Sequence, residues 1–320
     1  MRFGAFVPQG WKLDLSEIPV EQQWDTMVSV ARVAEETGYE SAWVYDHFHT
    51  FPVVTQQSTW EAWTTMAGLA EATDTIRLGQ MCTCNGYRPP SLLAKITANI
   101  DVMSGGRLDV GIGAGWYEHE YKGYGYPFPK PSVRIGELDE SVQILRSMWT
   151  QDETTFDGRH YQLEGAINRP RPLQDPYPPL WIAGGGEQLT LRVVAKYGDY
   201  ANYGGDAETF RHKTEVLQNH CRKVGRDFDE ITLSRAFECL IAEDQAALDE
   251  KLVEVERLLP EGRTMEQWRR IPIVGTPEQV VSKLQEYQDL GVEYVIGYFS
   301  DAAWGDGMRL FANEVMPAFA

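Results

Sequence analysis

The chain has 320 residues, 43% of them hydrophobic, enough to bury a large core either as one barrel or as two ordinary domains. Its 29 Lys and Arg against 47 Asp and Glu give a formal net charge of −18, which repels nucleic acid and anionic lipid, so an anionic ligand needs a local basic pocket. The four cysteines (Cys82, Cys84, Cys221, Cys239) fit a reducing compartment, the apolar run Met1 to Val7 is too short for a signal peptide, and no window holds 18 uninterrupted apolar residues. A cytoplasmic protein with no nucleic-acid or membrane partner is expected.

Arg2 to Val7 reads as a short apolar strand, after which Trp24, Met27, Val28, Ala31 and Ala34 recur at helical spacing up to Gly38. Ser41 to Tyr45 is the second strand and delivers Asp46-His47-Phe48-His49; Trp60 to Ala72 is helical. Ile76 to Cys82 is the third strand, followed by a polar turn and a helix opened by Pro90. Leu108 to Ile112 is the fourth, and its glycine-rich end runs into an aromatic segment, Tyr117 to Pro129, ahead of a helix from Val133 to Trp149. The Asp157-Gly158 hairpin signal and the prolines at 170, 172, 176, 178 and 179 mark residues 151–178 as an inserted excursion.

Leu180 to Ala183, Asp199 to Tyr203 and Ile231 to Ala242 are strands five to seven, with helices over 188–197, 207–224 and 244–259. Thr276-Pro-Glu-Gln279 spells a capping box, Gly291 ends the helix it opens, and Val292 to Phe299 is the eighth strand, before a last helix over 307–315. Eight strands alternating with helices, and no low-complexity linker, predict a single (β/α)8 TIM barrel with that excursion rather than a doubly wound sheet with a small domain.

Several residues are placed to carry chemistry. Gly111, Gly113 and Gly115 follow a strand, but the next segment is aromatic and contains Pro127 and Pro129, so a dinucleotide-binding turn is excluded. They mark either a tight turn or a place where a flat ring approaches the backbone. Gly184-Gly185-Gly186-Glu187 leads into a helix, which makes it an anion cradle or a plain left-handed turn; Arg192 and Lys196 would supply its positive charge.

Asp46-His47-x-His49 would need a third ligand from Glu118, His119 or Glu120 to hold a metal, so no metal is expected. It reads better as an imidazole oriented by a neighbour and used for proton transfer or cofactor contact; a satisfied structural histidine is the alternative. Trp11, Phe48, Trp60 and Trp116, with Tyr117 and Tyr121, lie on or near strand-end loops, which suits a water-excluding substrate pocket or simple loop packing. Cys82-Thr-Cys84 has neither zinc nor redox spacing and reads as two ordinary thiols.

Six stretches then fall together: Gly38 to His47, Tyr87 to Ala94, Asp101 to Arg107, Gly111 to Trp116, Pro179 to Glu187 and Gly275 to Glu278. In this order they resemble the bacterial luciferase-like superfamily, and the Asp46-His47 pair with the Arg88-Pro89 loop looks most like its branch that uses the deazaflavin coenzyme F420. The resemblance implies a homodimeric barrel binding F420, or alternatively FMN, at the carboxyl ends of the strands. It also implies a backbone bulge, often a non-prolyl cis peptide, near Gly79, Gln80 and Met81.

On that likeness His47 and Asp46 are the catalytic pair, Asp46 orienting the imidazole. Gly79, Gln80, Met81, Asn85, Gly113, Gly184, Gly185, Gly186 and Glu187 bind the cofactor. Trp116 stands where the sugar-phosphate dehydrogenases of the superfamily place a glutamate proton donor, which argues against glucose 6-phosphate. The expected activity is hydride transfer between F420 and a small apolar or aromatic organic molecule. An FMN-dependent two-component monooxygenase and a non-catalytic flavin-binding barrel are the alternatives.

Overall fold

Strand-forming and helix-forming runs alternate in the computed structural model, which describes residues 1–258, 264–268, 273–303 and 306–320. In chain order they are β1 (Arg2–Phe6), α1 (Val20–Glu36), β2 (Ser41–Val44), α2 (Ala62–Ala72), β3 (Arg77–Gln80), β4 (Thr83–Cys84), α3 (Pro90–Met103), β5 (Leu108–Gly113), α4 (Glu118–Gly123) and α5 (Pro131–Thr150). The chain continues with β6 (Thr154–Asp157), β7 (Gln162–Ala166), β8 (Leu180–Ala183), α6 (Thr190–Tyr197), β9 (Tyr200–Asn202), α7 (Ala207–Val224), β10 (Thr232–Ile241) and α8 (Gln245–Leu258). It ends with α9 (Met265–Trp268), β11 (Ile273–Gly275), α10 (Pro277–Gln288), β12 (Tyr294–Phe299) and α11 (Asp306–Leu310), which runs on as a π-helical turn, Phe311–Val315.

All barrel pairings are parallel. β1, β2, β3, β5, β8, β9, β10 and β12 follow one another, and β12 returns to β1, so an eight-stranded barrel closes. These are the eight strands expected from the sequence. β11 is an addition: it pairs with Cys239–Ile241 of β10, beyond Ser234 where β9 stops.

The alternation of side chains along each strand sends one set outward under the helices and the other into the barrel. Phe6, Trp43, Met81, Trp181, Tyr294, Ile296 and Tyr298 form the inner cluster. Trp181 stacks on Tyr200 at 3.8 Å and meets Trp43 edge-on at 4.7 Å. Room for Trp43 comes from glycine: a Cβ at Gly79 would lie 2.3 Å from its ring, and one at Gly4 would lie 2.5 Å from its Nε1.

The third strand is interrupted between β3 and β4. Gly79 pairs with Asp109 and Thr83 with Ile112, so four steps along one strand match three along the other, which is a one-residue bulge. The Met81–Cys82 peptide within it is cis and non-prolyl, inside the stretch the family resemblance pointed to.

The excursion is a β6–β7 hairpin whose turn is closed by Gly158 N–H to the Tyr161 carbonyl at 2.9 Å. Glu140 on α5 accepts from the N–H groups of Arg159, His160 and Tyr161, which fixes the hairpin to the barrel. α2 starts at Ala62 rather than Trp60 because the Glu61 carboxylate caps Thr64 N–H at 2.7 Å. α6 starts at Thr190 rather than 188 because the chain first makes a turn, Leu191 N–H reaching back to the Gly186 carbonyl at 3.0 Å. Gln279 Oε1 accepts from Thr276 N–H at 3.0 Å, the reach-back half of the expected capping box. The acidic helix is described to Leu258; its predicted last residue, 259, lies outside the described residues. No helix among the described residues is long and apolar enough to cross a membrane.

Candidate functional site

The carboxyl ends of β2, β4, β5 and β8 open into one cavity of about 370 Å³. A larger hollow of about 520 Å³ lies between α8, β11 and α10, away from these strand ends, and gathers no comparable set of functional groups. The smaller cavity has a wall of Met81, Cys82, Gly113, Ala114 and Gly115, an aromatic group of Trp11, Tyr45, Trp116 and Tyr117 around His47, and a polar group of Arg134, Gly184 and Thr190.

Gly111, below the wall, and Gly113 and Gly115, on it, each make room for something specific. A Cβ at Gly111 would lie 1.9 Å from the Gln80 carbonyl oxygen, so glycine here lets the bulge press against β5. A Cβ at Gly113 would lie 2.7 Å from Cys82 Sγ, and Gly115 has φ +79° with the Tyr121 hydroxyl 2.1 Å from its missing Cβ. Cys82 and Cys84 are both disfavoured from ionising. Burial, then the neighbouring thiol and Asp46, push Cys82 up to about 12. Burial and Asp46 do the same for Cys84, also to about 12.

His47 is held by Glu120. Nδ1 stands 2.8 Å from Glu120 Oε2, and the ring stacks on Trp11 at 4.1 Å and 7°. Glu120 is fully buried, and both oxygens are occupied. Oε2 also accepts from the Tyr87 hydroxyl at 2.6 Å, while Oε1 accepts from Phe48 N–H at 2.6 Å and His49 N–H at 2.9 Å. Burial by itself would raise this carboxyl, but the hydrogen bonds from His47, Tyr87 and His49 and the attraction of His47 outweigh it and hold Glu120 below the usual carboxylate value. An ionised acceptor at Nδ1 fixes the proton there and leaves Nε2 without a partner among the described residues, on a side chain that lines the cavity.

Asp46 does not orient His47, as the sequence reading had it. Its buried carboxylate is taken by Arg88, at 2.7 and 3.0 Å, and by Cys84 N–H at 2.8 Å. Arg88 also reaches Glu61 at 2.5 Å, and these two carboxylates raise its pKa despite burial. Asp46 thus ties β2 to the segment after the bulge. Asp46 and His47 both line the cavity, but Arg88 and the Cys84 N–H take the carboxylate while Glu120 takes the imidazole.

Other expected cofactor residues separate in the same way. Met81, Gly113 and Gly184 line the cavity. Gly79 lies under Trp43 inside the barrel; Gln80 is buried and accepts from the Thr83 hydroxyl; Asn85 is buried with Nδ2 3.4 Å from the Tyr161 hydroxyl. None of these three lines the cavity, and Gly185, Gly186 and Glu187 run out from it rather than around it.

Of the aromatics, Trp11 and Trp116 line the cavity. Trp60 instead donates from Nε1 to Gln23 at 3.0 Å, and Phe48 packs on Tyr87 and Tyr124, so both are loop packing. The expected cations are also elsewhere: Lys196 pairs with Asp139 at 2.7 Å and Arg192 is exposed, whereas Lys213 of α7 lies beside Gly185. Among the described residues no group of three or more His, Cys, Asp or Glu is placed to hold a metal.

The sequence reading missed Arg134. It is 9% exposed, its guanidinium lies 4.0 Å over the Phe128 ring, Nη1 donates to the Pro129 carbonyl at 2.5 Å, and Nε has no partner. A buried guanidinium with an unused donor, in a cavity that Thr190 and Gly184 (φ +121°) also line, is a fitting holder for a phosphate. With the glycine wall, these residues fit a flat ring carrying a phosphorylated side chain, as flavin and deazaflavin do.

The architecture is that of a parallel (β/α)8 barrel with its cavity at the carboxyl ends of the strands. The family described as luciferase-like monooxygenase matches residues 1–294, and the chain belongs to it. It is 28% identical to the F420-dependent glucose-6-phosphate dehydrogenase of Amycolatopsis mediterranei (strain U-32) over 91% of this chain and 93% of that one. It is 25% identical to the FMNH(2)-dependent dimethylsulfone monooxygenase of Pseudomonas putida over 99% and 94%. Among solved structures, an F420-dependent secondary alcohol dehydrogenase in complex with an F420-acetone adduct has the same fold, with a TM-score of 0.82, 20% identity and coverage of 100% and 99%.

Proposed function

We propose that the chain is an F420-dependent oxidoreductase that passes a hydride between the deazaflavin and a small apolar or aromatic organic substrate. The observation that carries this reading is His47 at the cavity wall, with Nδ1 bound to Glu120 and Nε2 without a partner among the described residues, beside Trp11, Tyr45, Trp116 and Tyr117. A bound deazaflavin supplies the two-electron chemistry. The chain's own residues do the rest. Gly113 and Gly115 leave room for a ring against the backbone, and Arg134 with Thr190 and Gly184 holds the phosphate.

The aromatic group keeps water from the reacting carbon, and His47 Nε2 exchanges the proton of a substrate hydroxyl or carbonyl. Trp116, 55% exposed at the mouth, offers no proton where a sugar-phosphate dehydrogenase would have its glutamate. The relatives' names support F420 and FMN alike, and Arg134 suits either phosphate, so FMN-dependent oxygenation is the second reading. We expect a homodimer, which sedimentation of the purified chain checks.

The test is isotopic. The chain is incubated with oxidised F420 and a panel of apolar and benzylic alcohols deuterated at the carbinol carbon, and the reduced cofactor is weighed by mass spectrometry. One deuterium in the reduced deazaflavin is expected. No reduction by any donor, together with oxygen-dependent turnover of reduced FMN, overturns the proposal; binding without any turnover returns the chain to the non-catalytic class.

A further inference from the structure

We infer that Lys213 and Gly185 form a second anion site, continuous with the phosphate end of the cavity, and that it takes the carboxylates of a ligand whose phosphate is a diester. The inference rests on the deazaflavin reading above and extends it to the part of the cofactor outside the cavity.

Gly184 lines the cavity and Gly185 is the next residue out. A Cβ at Gly185 would sit 2.5 Å from Lys213 Nζ and 3.0 Å from its Cε, so the ammonium rests directly against this loop in the room the glycine leaves. Lys213 is little engaged: its one bond is to the Gly204 carbonyl at 3.4 Å, and no carboxylate pairs with it among the described residues. An ammonium has three donors, which leaves at least two for a ligand.

The nearest loop carboxylate does not compete. Glu187 lies 3.2 Å from His212 Nε2, and its carbonyl accepts from His220 Nε2 at 2.7 Å, so both histidines of α7 are turned on that residue. Asp206 is likewise occupied, capping Thr209 N–H at 2.8 Å. α7 also carries Arg211, Arg222 and Lys223, none in an ion pair among the described residues, although the whole chain has a net charge of −18.

The chemistry separates the two cofactor readings. The phosphate of FMN is a terminal monoester, so its anionic part ends at Arg134. The phosphate of F420 is a diester, and its far side continues through lactate into glutamates. Only the second ligand has anions left for Lys213.

The experiment is a fluorescence titration of the full chain with glutamylated F420 and with the same deazaflavin ending at phospholactate, at low salt and at about 0.3 M salt. The glutamylated form is expected to bind about fivefold more tightly at low salt, as suits a partly exposed ion pair. The advantage shrinks at high salt and is lost in Lys213→Glu. Lys213→Gln, with an unchanged melting temperature, separates lost charge from lost folding. Equal affinity of the wild-type chain for both forms, or an advantage that survives Lys213→Glu, overturns the inference. Failure of the wild-type chain to bind either form overturns the deazaflavin reading itself, and the inference with it.

Discussion

The imidazole of His47 and the carboxylate of Glu120 meet at 2.8 Å across the loops that follow the second and fourth barrel strands. The same carboxylate takes the Tyr87 hydroxyl and two backbone N–H groups, so it sets the position of the loop as well as the tautomer of the ring.

Replacing His47 by Asn should lower kcat by about 10²–10⁴-fold, the usual contribution of an acid–base group, while cofactor binding persists. Glu120→Gln should act through His47. An amide is a weaker acceptor at Nδ1, so the proton spreads over both nitrogens. Turnover should fall while KM for the alcohol changes little, and the pH–rate profile should move. Nitrogen-15 NMR of His47 checks the tautomer directly: a single Nδ1–H form in the wild type and a mixture in the variant.

Glu120 also makes stability depend on pH. Its folded pKa is depressed, so the stabilisation it gives is fully present above the unfolded glutamate value of about 4.3 and is lost as pH falls through the lower folded value. Glu120→Gln should therefore cost about 1–3 kcal/mol near neutrality, from buried bonds left poorly made, and less in acid. Urea unfolding of both proteins at several pH values measures the closing gap. A gap that widens as pH falls would reverse the assigned sign.

Glycines 111 and 113 should respond differently to alanine. At Gly111 the new methyl meets a backbone carbonyl oxygen at 1.9 Å, whereas at Gly113 it meets a thiol at 2.7 Å. Gly111→Ala is expected to cost at least the upper part of the 1–3 kcal/mol typical of overpacking, and Gly113→Ala less. Removing the thiol should relieve the second clash, so Cys82→Ala in the Gly113→Ala background should recover stability beyond additivity. Denaturation midpoints of the four proteins decide this.

Arg134→Gln should weaken binding of any phosphorylated ring cofactor by about 10–150-fold, the range for a hydrogen bond to a charged group. Affinity for the phosphate-free ring compound should stay near its wild-type value. Parallel titrations with FMN and riboflavin measure the difference; an equal loss for both would place Arg134 in loop packing instead.

The strands were legible because each is a short apolar run bounded by glycine, proline or polar turns, and that local grammar survives folding. The bulge was legible only through the family resemblance. The site was less so, and for particular reasons. Asp46 and His47 are adjacent in the sequence and both line the cavity, but Arg88 and the Cys84 N–H take the first and Glu120 the second, long-range partners that no local pattern names. Gly79 shares the inward parity of Met81 but sits two residues deeper, under Trp43, and does not line the cavity.

Glu120 stood in view with Glu118 and His119, and only the phase of α4 buries it and leaves the other two exposed. Its one sequence signal is the buried neighbour Tyr121. Arg134 carries no local signal, because it joins the cavity only through tertiary packing, α5 lying against α6, and no local pattern encodes that.

The central claim is that this cavity holds a deazaflavin. Equilibrium titration of the purified chain with F420 and, separately, with FMN tests it most directly. Binding of F420 well ahead of FMN is the expected result; tight binding of FMN with none of F420 would contradict the account.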